Sequence, residues 1–153
     1  MINWVDFVSL NQLESMSGDA SWSVISITDT DKSDARVSLG FGMIMKIKFD
    51  DIDDAEFSSG SRGRLFTSSD ARLILDFLEK IHKNNSCHGV LVQCEAGKSR
   101  SAAIAVFISG FYGAKFTHCR RVDGYNNFVL RLLERSSKTN VSRPTDMVVR
   151  PGL

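Results

Sequence analysis

Residues 89–112 constrain the fold more than any other stretch of the chain. Gly89-Val90-Leu91-Val92-Gln93 has a short, wholly apolar centre, which predicts a central strand buried on both faces. Ser101 to Tyr112 is apolar on nearly every side, which predicts a buried helix. Ala102, Ala103 and Ala105 are small enough to let that helix lie close on a sheet. Between strand and helix runs a polar segment, Cys94-Glu95-Ala96-Gly97-Lys98-Ser99-Arg100. A buried strand that passes through a polar loop into a buried helix belongs to α/β architecture, because both faces of such a strand must be covered.

The rest of the chain continues this alternation. Trp4–Val8 predicts a short strand, and Ser9-Leu10-Asn11-Gln12 matches a capping box that opens a helix near Leu10–Met16. Trp22–Ile27 largely alternates apolar and polar residues, a strand pattern. Thr28–Arg36 reads as a polar loop, and Met43–Phe49 as the next strand. Residues 50–66 combine acids, Ser and Gly into one long loop, a kind of segment that is usually functional or mobile. Thr67 can cap a helix whose apolar face holds Leu73, Ile74, Phe77, Leu78 and Ile81. Phe128, Val129, Leu132 and Leu133 predict a last amphipathic helix. The expected fold class is therefore α/β, with a central, mainly parallel sheet flanked by helices. The expected organisation is one domain over residues 1–135 and a tail over 136–153, extended around Pro144 and Pro151.

Composition fits one globular domain: 153 residues, of which 42% are hydrophobic and 24% charged. The net charge of +1 hides an asymmetry. Residues 1–60 hold 11 acids and 4 bases, a net of −7, and residues 61–153 hold 7 acids and 15 bases, a net of +8. A basic half of this kind suggests contact with an anion. The three Cys form neither a CxxC pair nor a disulfide framework, which points to a reducing, cytoplasmic setting. The N-terminus lacks the basic start and apolar run of a secretory signal. The longest apolar run, Ala102–Ile108, falls far short of the ~20 residues that span a bilayer, so no membrane partner is expected. His82, His88 and His118 are isolated, so no metal is expected.

A Cys and an Arg six positions apart form a weak motif by themselves. Their setting strengthens it. Cys94 directly follows the buried strand, Gly97 sits where a tight loop needs positive φ, and Arg100 opens the helix. The N–H groups of Glu95, Ala96, Gly97, Lys98 and Ser99 can wrap inward around one oxyanion, at the positive end of a helix dipole. Arg100 can grip two phosphate oxygens with its planar fork. The same field favours a thiolate at Cys94, aimed at a phosphorus held by the loop, which is the arrangement of nucleophilic catalysis.

Gln93-Cys94-Glu95-Ala96-Gly97-Lys98-Ser99-Arg100-Ser101 resembles the signature of cysteine-dependent protein phosphatases, His-Cys-x-x-Gly-x-x-Arg-Ser/Thr. The short chain and its mid-chain signature are most similar to the compact dual-specificity and tyrosine phosphatase-like members of bacteria and phages. The resemblance runs from about Trp22 to Leu133 and is specific at the loop. It implies a phosphatase-type sheet flanked by helices, no metal or other cofactor, and a cysteinyl-phosphate intermediate. The expected partner is a phosphorylated protein or peptide, and the expected state is a monomer. Nothing in the charge pattern speaks for nucleic acid.

The resemblance also implies roles. Ser101 matches the hydroxyl residue that hydrogen-bonds the Cys sulfur and helps it leave in the second step. The family's general acid is an Asp just past the strand that ends Ile47-Lys48-Phe49. That match points to Asp51, with Asp50, Asp53 and Asp54 as contenders. Gln93 stands where the family has His, which implies weaker tuning of the thiol. Asn126 and Asn127 resemble an Asn near the family's active-site scaffold, with helix capping as the plainer role.

Other chemistries fit parts of the pattern. Gly97-Lys98-Ser99 invites a nucleotide-binding reading, but a Walker A loop needs Gly where Val92 stands. A rhodanese-like sulfurtransferase also carries a Cys loop on a helix N-terminus. A non-catalytic phosphate- or phosphopeptide-binding module would keep the loop without turnover, and Gln93 is the one sequence hint of that. Lys98 widens the pocket or is solvated. Glu95 opposes a strongly polyanionic ligand. Cys87 packs or pairs with Cys94, and Arg120 and Arg121 hold a second phosphate or form a solvated face.

Overall fold

A computed structural model describes residues 1–118 and 121–142. In chain order the elements are β1 (Trp4–Val8), α1 (Leu10–Glu14), β2 (Trp22–Thr28), β3 (Ile44–Lys48), α2 (Asp54–Ser58), α3 (Ser68–Lys83), β4 (Gly89–Gln93), α4 (Arg100–Tyr112), β5 (Lys115–Phe116) and α5 (Asn127–Ser142). The five strands form one sheet in the order β3-β2-β4-β1-β5, and every neighbouring pair is parallel. The expected α/β class is what the chain adopts. β4 lies at the centre, between β2 and β1, with Ser26 opposite Gln93 and Val8 opposite the same residue.

Strand alternation divides the core into two layers. Val5, Phe7, Ile25, Ile27, Ile47, Val90 and Val92 point to the face covered by α3, α4 and α5. Val8, Val24 and Leu91 point to the other, where Leu13 of α1, Ala35 and Phe41 meet them. Helix α4 is buried from Arg100 to Ala105 and again at Phe107 and Ile108. Its three alanines let it lie against β1 and β4 while α5 packs outside it. Gly113, with φ of 70°, ends it in the left-handed conformation.

Four features differ from the sequence expectation. The long loop after β3 contains α2, a single polar turn capped by the Asp53 carboxylate, which accepts from the Glu56 N–H at 2.8 Å. None of its residues is buried, so it leaves no apolar stripe to detect. The buried face of α3 is Ala71, Ile74, Leu75, Leu78 and Ile81, whereas Leu73 is 55% exposed and Phe77 only half-buried. The two-residue strand β5 is too short to announce itself. Helix α5 runs past residue 135 to Ser142, with Ser136 and Ser137 buried, so the expected tail begins as helix. Pro144 and Pro151 lie outside the described residues, as does Arg120. Among the described residues no helix is long and apolar enough to cross a membrane.

Candidate active site

In a parallel sheet the carboxyl ends of all strands face the same edge, and ligands bind in the crevice there. The chemistry-bearing residues gather at that edge. Ser9 follows β1, Asp29 follows β2, Phe49 to Asp51 follow β3, and Cys94 follows β4. The loop from Cys94 to Ser99 is pinned to the end of β1. The Cys94 N–H donates to the Val8 carbonyl at 3.4 Å, and the Leu10 N–H donates to the Glu95 carbonyl at 3.2 Å. Gly97 has φ of 66°, and a Cβ there would run into the backbone of Val8 and Ser9. Only glycine satisfies both the dihedral and the approach.

Cys94 and Ser101 are buried, and their Sγ and Oγ atoms lie 3.0 Å apart. A hydroxyl can donate to a thiolate at that distance. Arg100 is 4% exposed although it is a cation. Its Nη1 forms an ion pair with Asp29 Oδ1 at 2.8 Å and donates to the Phe49 carbonyl at 2.7 Å. Among the described residues its buried Nε has no hydrogen-bond partner. Buried N–H groups are nearly always paired, so an orphan on a guanidinium beside a helix N-terminus marks a place for an acceptor. Ser99 is the N-cap of α4, but its side chain makes no cap bond and donates to Asp51 Oδ1 at 2.9 Å instead.

The four aspartates after β3 separate cleanly. Asp50 closes the base of its loop. Its carboxylate accepts from the Thr30 N–H at 3.1 Å, the Thr30 hydroxyl at 2.6 Å and the Arg64 N–H at 2.6 Å, and its own N–H donates to the Arg64 carbonyl at 2.9 Å. Burial works to raise the pKa of Asp50, but the hydrogen bonds from Thr30 and Arg64 and the charge of Arg100 outweigh it, and the net shift is downward. Asp53 caps α2 and Asp54 is exposed in its first turn. Asp51 alone of the four bonds to the Cys94–Arg100 loop. Its Oδ1 takes the Ser99 hydroxyl and, at 3.1 Å, the Asn126 amide. Among the described residues no hydrogen bond falls on its Oδ2.

Asn126 joins three segments. Its Nδ2 also donates to the Ile52 carbonyl at 3.2 Å, its N–H donates to the Ser99 carbonyl at 3.3 Å, and its Oδ1 accepts from the Val129 N–H at 3.2 Å, capping α5. One side chain thus caps α5 and ties it to the Asp51–Ile52 segment.

The remaining loop residues are peripheral. Glu95, Ala96 and Lys98 are exposed, and Glu95 meets Lys32 at 3.6 Å. Gln93 is buried, accepts from the Ser26 hydroxyl and donates to the Ile27 carbonyl at 3.3 Å. Its amide holds β2 to β4 rather than the loop. Cys87 is a free thiol at the opposite end of β4 from Cys94, 3.3 Å from the Ser23 hydroxyl, and the length of the strand between them rules out a bridge. Arg121 pairs with Asp123 at 2.8 Å on the exposed surface. Among the described residues no cluster of three or more His, Cys, Asp or Glu is placed to hold a metal ion.

Asp29 is the residue that the sequence did not single out. It lies in what reads as a polar loop. The available signal was its place one residue beyond a strand that neighbours β4. Comparison with protein-family models, curated proteins and solved structures gives no significant match.

Proposed function

We propose that this chain is a phosphoester hydrolase with a phosphatase-type fold, acting on a phosphorylated protein or peptide through a cysteinyl-phosphate intermediate. One observation carries the reading: the Asp51 carboxylate is hydrogen-bonded to Ser99, inside the loop that starts at Cys94 and ends at Arg100. A nucleophile, an anion-gripping cation and a carboxyl group from separate segments thereby share one loop. That is the minimum set for cleaving a phosphate monoester.

The phosphoryl group occupies the loop, with the N–H groups, the α4 N-terminus and Arg100 Nε taking its oxygens. The Cys94 thiolate attacks phosphorus as the bond to the ester oxygen breaks. Asp51, protonated on the unbonded Oδ2, gives its proton to the departing oxygen, so the alcohol leaves neutral and Asp51 is left as a carboxylate. In the second step Asp51 takes a proton from water, the water oxygen attacks phosphorus, and the Cys94 sulfur leaves as a thiolate stabilised by the Ser101 hydroxyl. Arg100 and the loop stabilise the equatorial oxygens in both steps.

Hydrolysis of p-nitrophenyl phosphate tests the reading. Turnover that is inhibited by vanadate and abolished by Cys94→Ser supports it. Retained phosphopeptide binding without turnover indicates a binding module, and thiosulfate:cyanide activity indicates sulfur transfer.

A further inference from the structure

The orientation of Arg100 depends on a residue outside the loop. Nη1 meets two partners at the strand edge, the Asp29 carboxylate in an ion pair at 2.8 Å and the Phe49 backbone carbonyl through a hydrogen bond at 2.7 Å. The buried Nε group has no partner among the described residues. A planar guanidinium held at one nitrogen by two acceptors has little freedom to turn, so the direction of its remaining N–H groups is set. Asp29 itself is steadied by Lys32 at 3.5 Å, which reaches on to Glu95 at 3.6 Å.

We propose that Asp29 is a positioning residue for the anion site: by holding Nη1 of Arg100 it keeps Nε available for an oxygen of the bound phosphoryl group. This rests on the phosphatase reading of the loop.

A carboxylate beside an anion site can act in two ways, and the two have opposite signs. Through its charge alone Asp29 repels an oxyanion, so its removal tightens binding. Through orientation Asp29 aims the fork, so its removal weakens binding. Asn at this position keeps an acceptor oxygen and drops the charge, and Ala keeps neither. Orientation therefore predicts affinity falling from wild type to Asp29→Asn to Asp29→Ala, whereas charge alone predicts both variants tighter than wild type.

The experiment is calorimetric titration of the full chain with tungstate, an unreactive oxyanion, for wild type, Asp29→Asn and Asp29→Ala. Thermal melts confirm that each is folded, and kcat and KM are measured on p-nitrophenyl phosphate. The expected result is a loss of about tenfold or more in tungstate affinity for Asp29→Ala, the scale of one charge-assisted hydrogen bond. Asp29→Asn loses less, and kcat falls more than KM rises, because the fork grips hardest in the transition state. Affinities of the variants equal to or above wild type overturn the proposal. If Asp29→Ala does not fold, Asp29→Asn decides by the same criterion. A wild-type chain that binds tungstate and hydrolyses no ester sinks the phosphatase reading while the affinity order still judges Asp29. A wild-type chain that does not bind tungstate overturns both.

Discussion

The Ser99 hydroxyl donates to Asp51 Oδ1 at 2.9 Å, joining the acidic segment after β3 to the loop after β4 across 48 positions of sequence. The Asn126 amide adds a bond to the same oxygen at 3.1 Å. Two donors on Oδ1 fix the carboxyl group in one rotamer, and among the described residues no hydrogen bond falls on Oδ2. This geometry separates Asp51 from its neighbours: Asp50 is spent on Thr30 and Arg64, and Asp53 on the first turn of α2.

Asp51→Asn keeps the shape and loses the proton. The account predicts a fall of about 100-fold or more in kcat on phenyl phosphate, the usual scale of general acid catalysis. The loss on p-nitrophenyl phosphate is smaller, since its leaving group needs the proton less. Equal losses on the two esters would move the role to Asp53 or Asp54.

Ser101→Ala removes the hydroxyl 3.0 Å from the Cys94 sulfur, the group that would serve as donor to a departing thiolate. That donor matters most when sulfur is the leaving group, so the second step slows. Rapid-mixing measurements are expected to show a burst of p-nitrophenol followed by a steady state slower by about tenfold, on the scale of one hydrogen bond to a charged group. A slower burst with no accumulation would assign Ser101 to the first step instead.

Asp50 makes acid stability a local question. Its pKa lies below the ordinary carboxylate value in the folded chain, so the unfolded chain binds its proton more readily. The stabilisation is present above the ordinary Asp range and is lost as pH falls through the depressed folded value. Wild type is expected to lose more Tm between about pH 5 and pH 2 than Asp50→Asn, which starts lower at neutral pH and changes less. Parallel declines would show that the Thr30 and Arg64 bonds contribute no pH-dependent stability.

What could be read from the chain follows the range of the interactions. The Cys94–Ser101 segment was legible because strand, turn glycine and helix start are contiguous, and local hydrogen bonding builds them. The capping box at Ser9 was legible for the same reason and is formed. The phase of α3 was not, because apolar residues at 73, 74, 75, 77, 78 and 81 permit more than one buried stripe. Packing against α5 and into the main core selects the one with Leu75 in and Leu73 out. Asp29 was hidden because its role exists only once β2 lies beside β4, which brings it to an arginine 71 positions later in the chain. The choice among four aspartates likewise waited on tertiary contacts from Ser99, Asn126, Thr30 and Arg64.

The central claim is that Cys94 carries the phosphoryl group during turnover. Acid quenching during steady-state hydrolysis of p-nitrophenyl phosphate, followed by peptide mass spectrometry, tests it most directly. The account predicts phosphate on the Cys94 peptide, more of it in Ser101→Ala, and none in Cys94→Ser. Turnover that proceeds with no phosphorylated Cys94 peptide, or that survives Cys94→Ser, would contradict it.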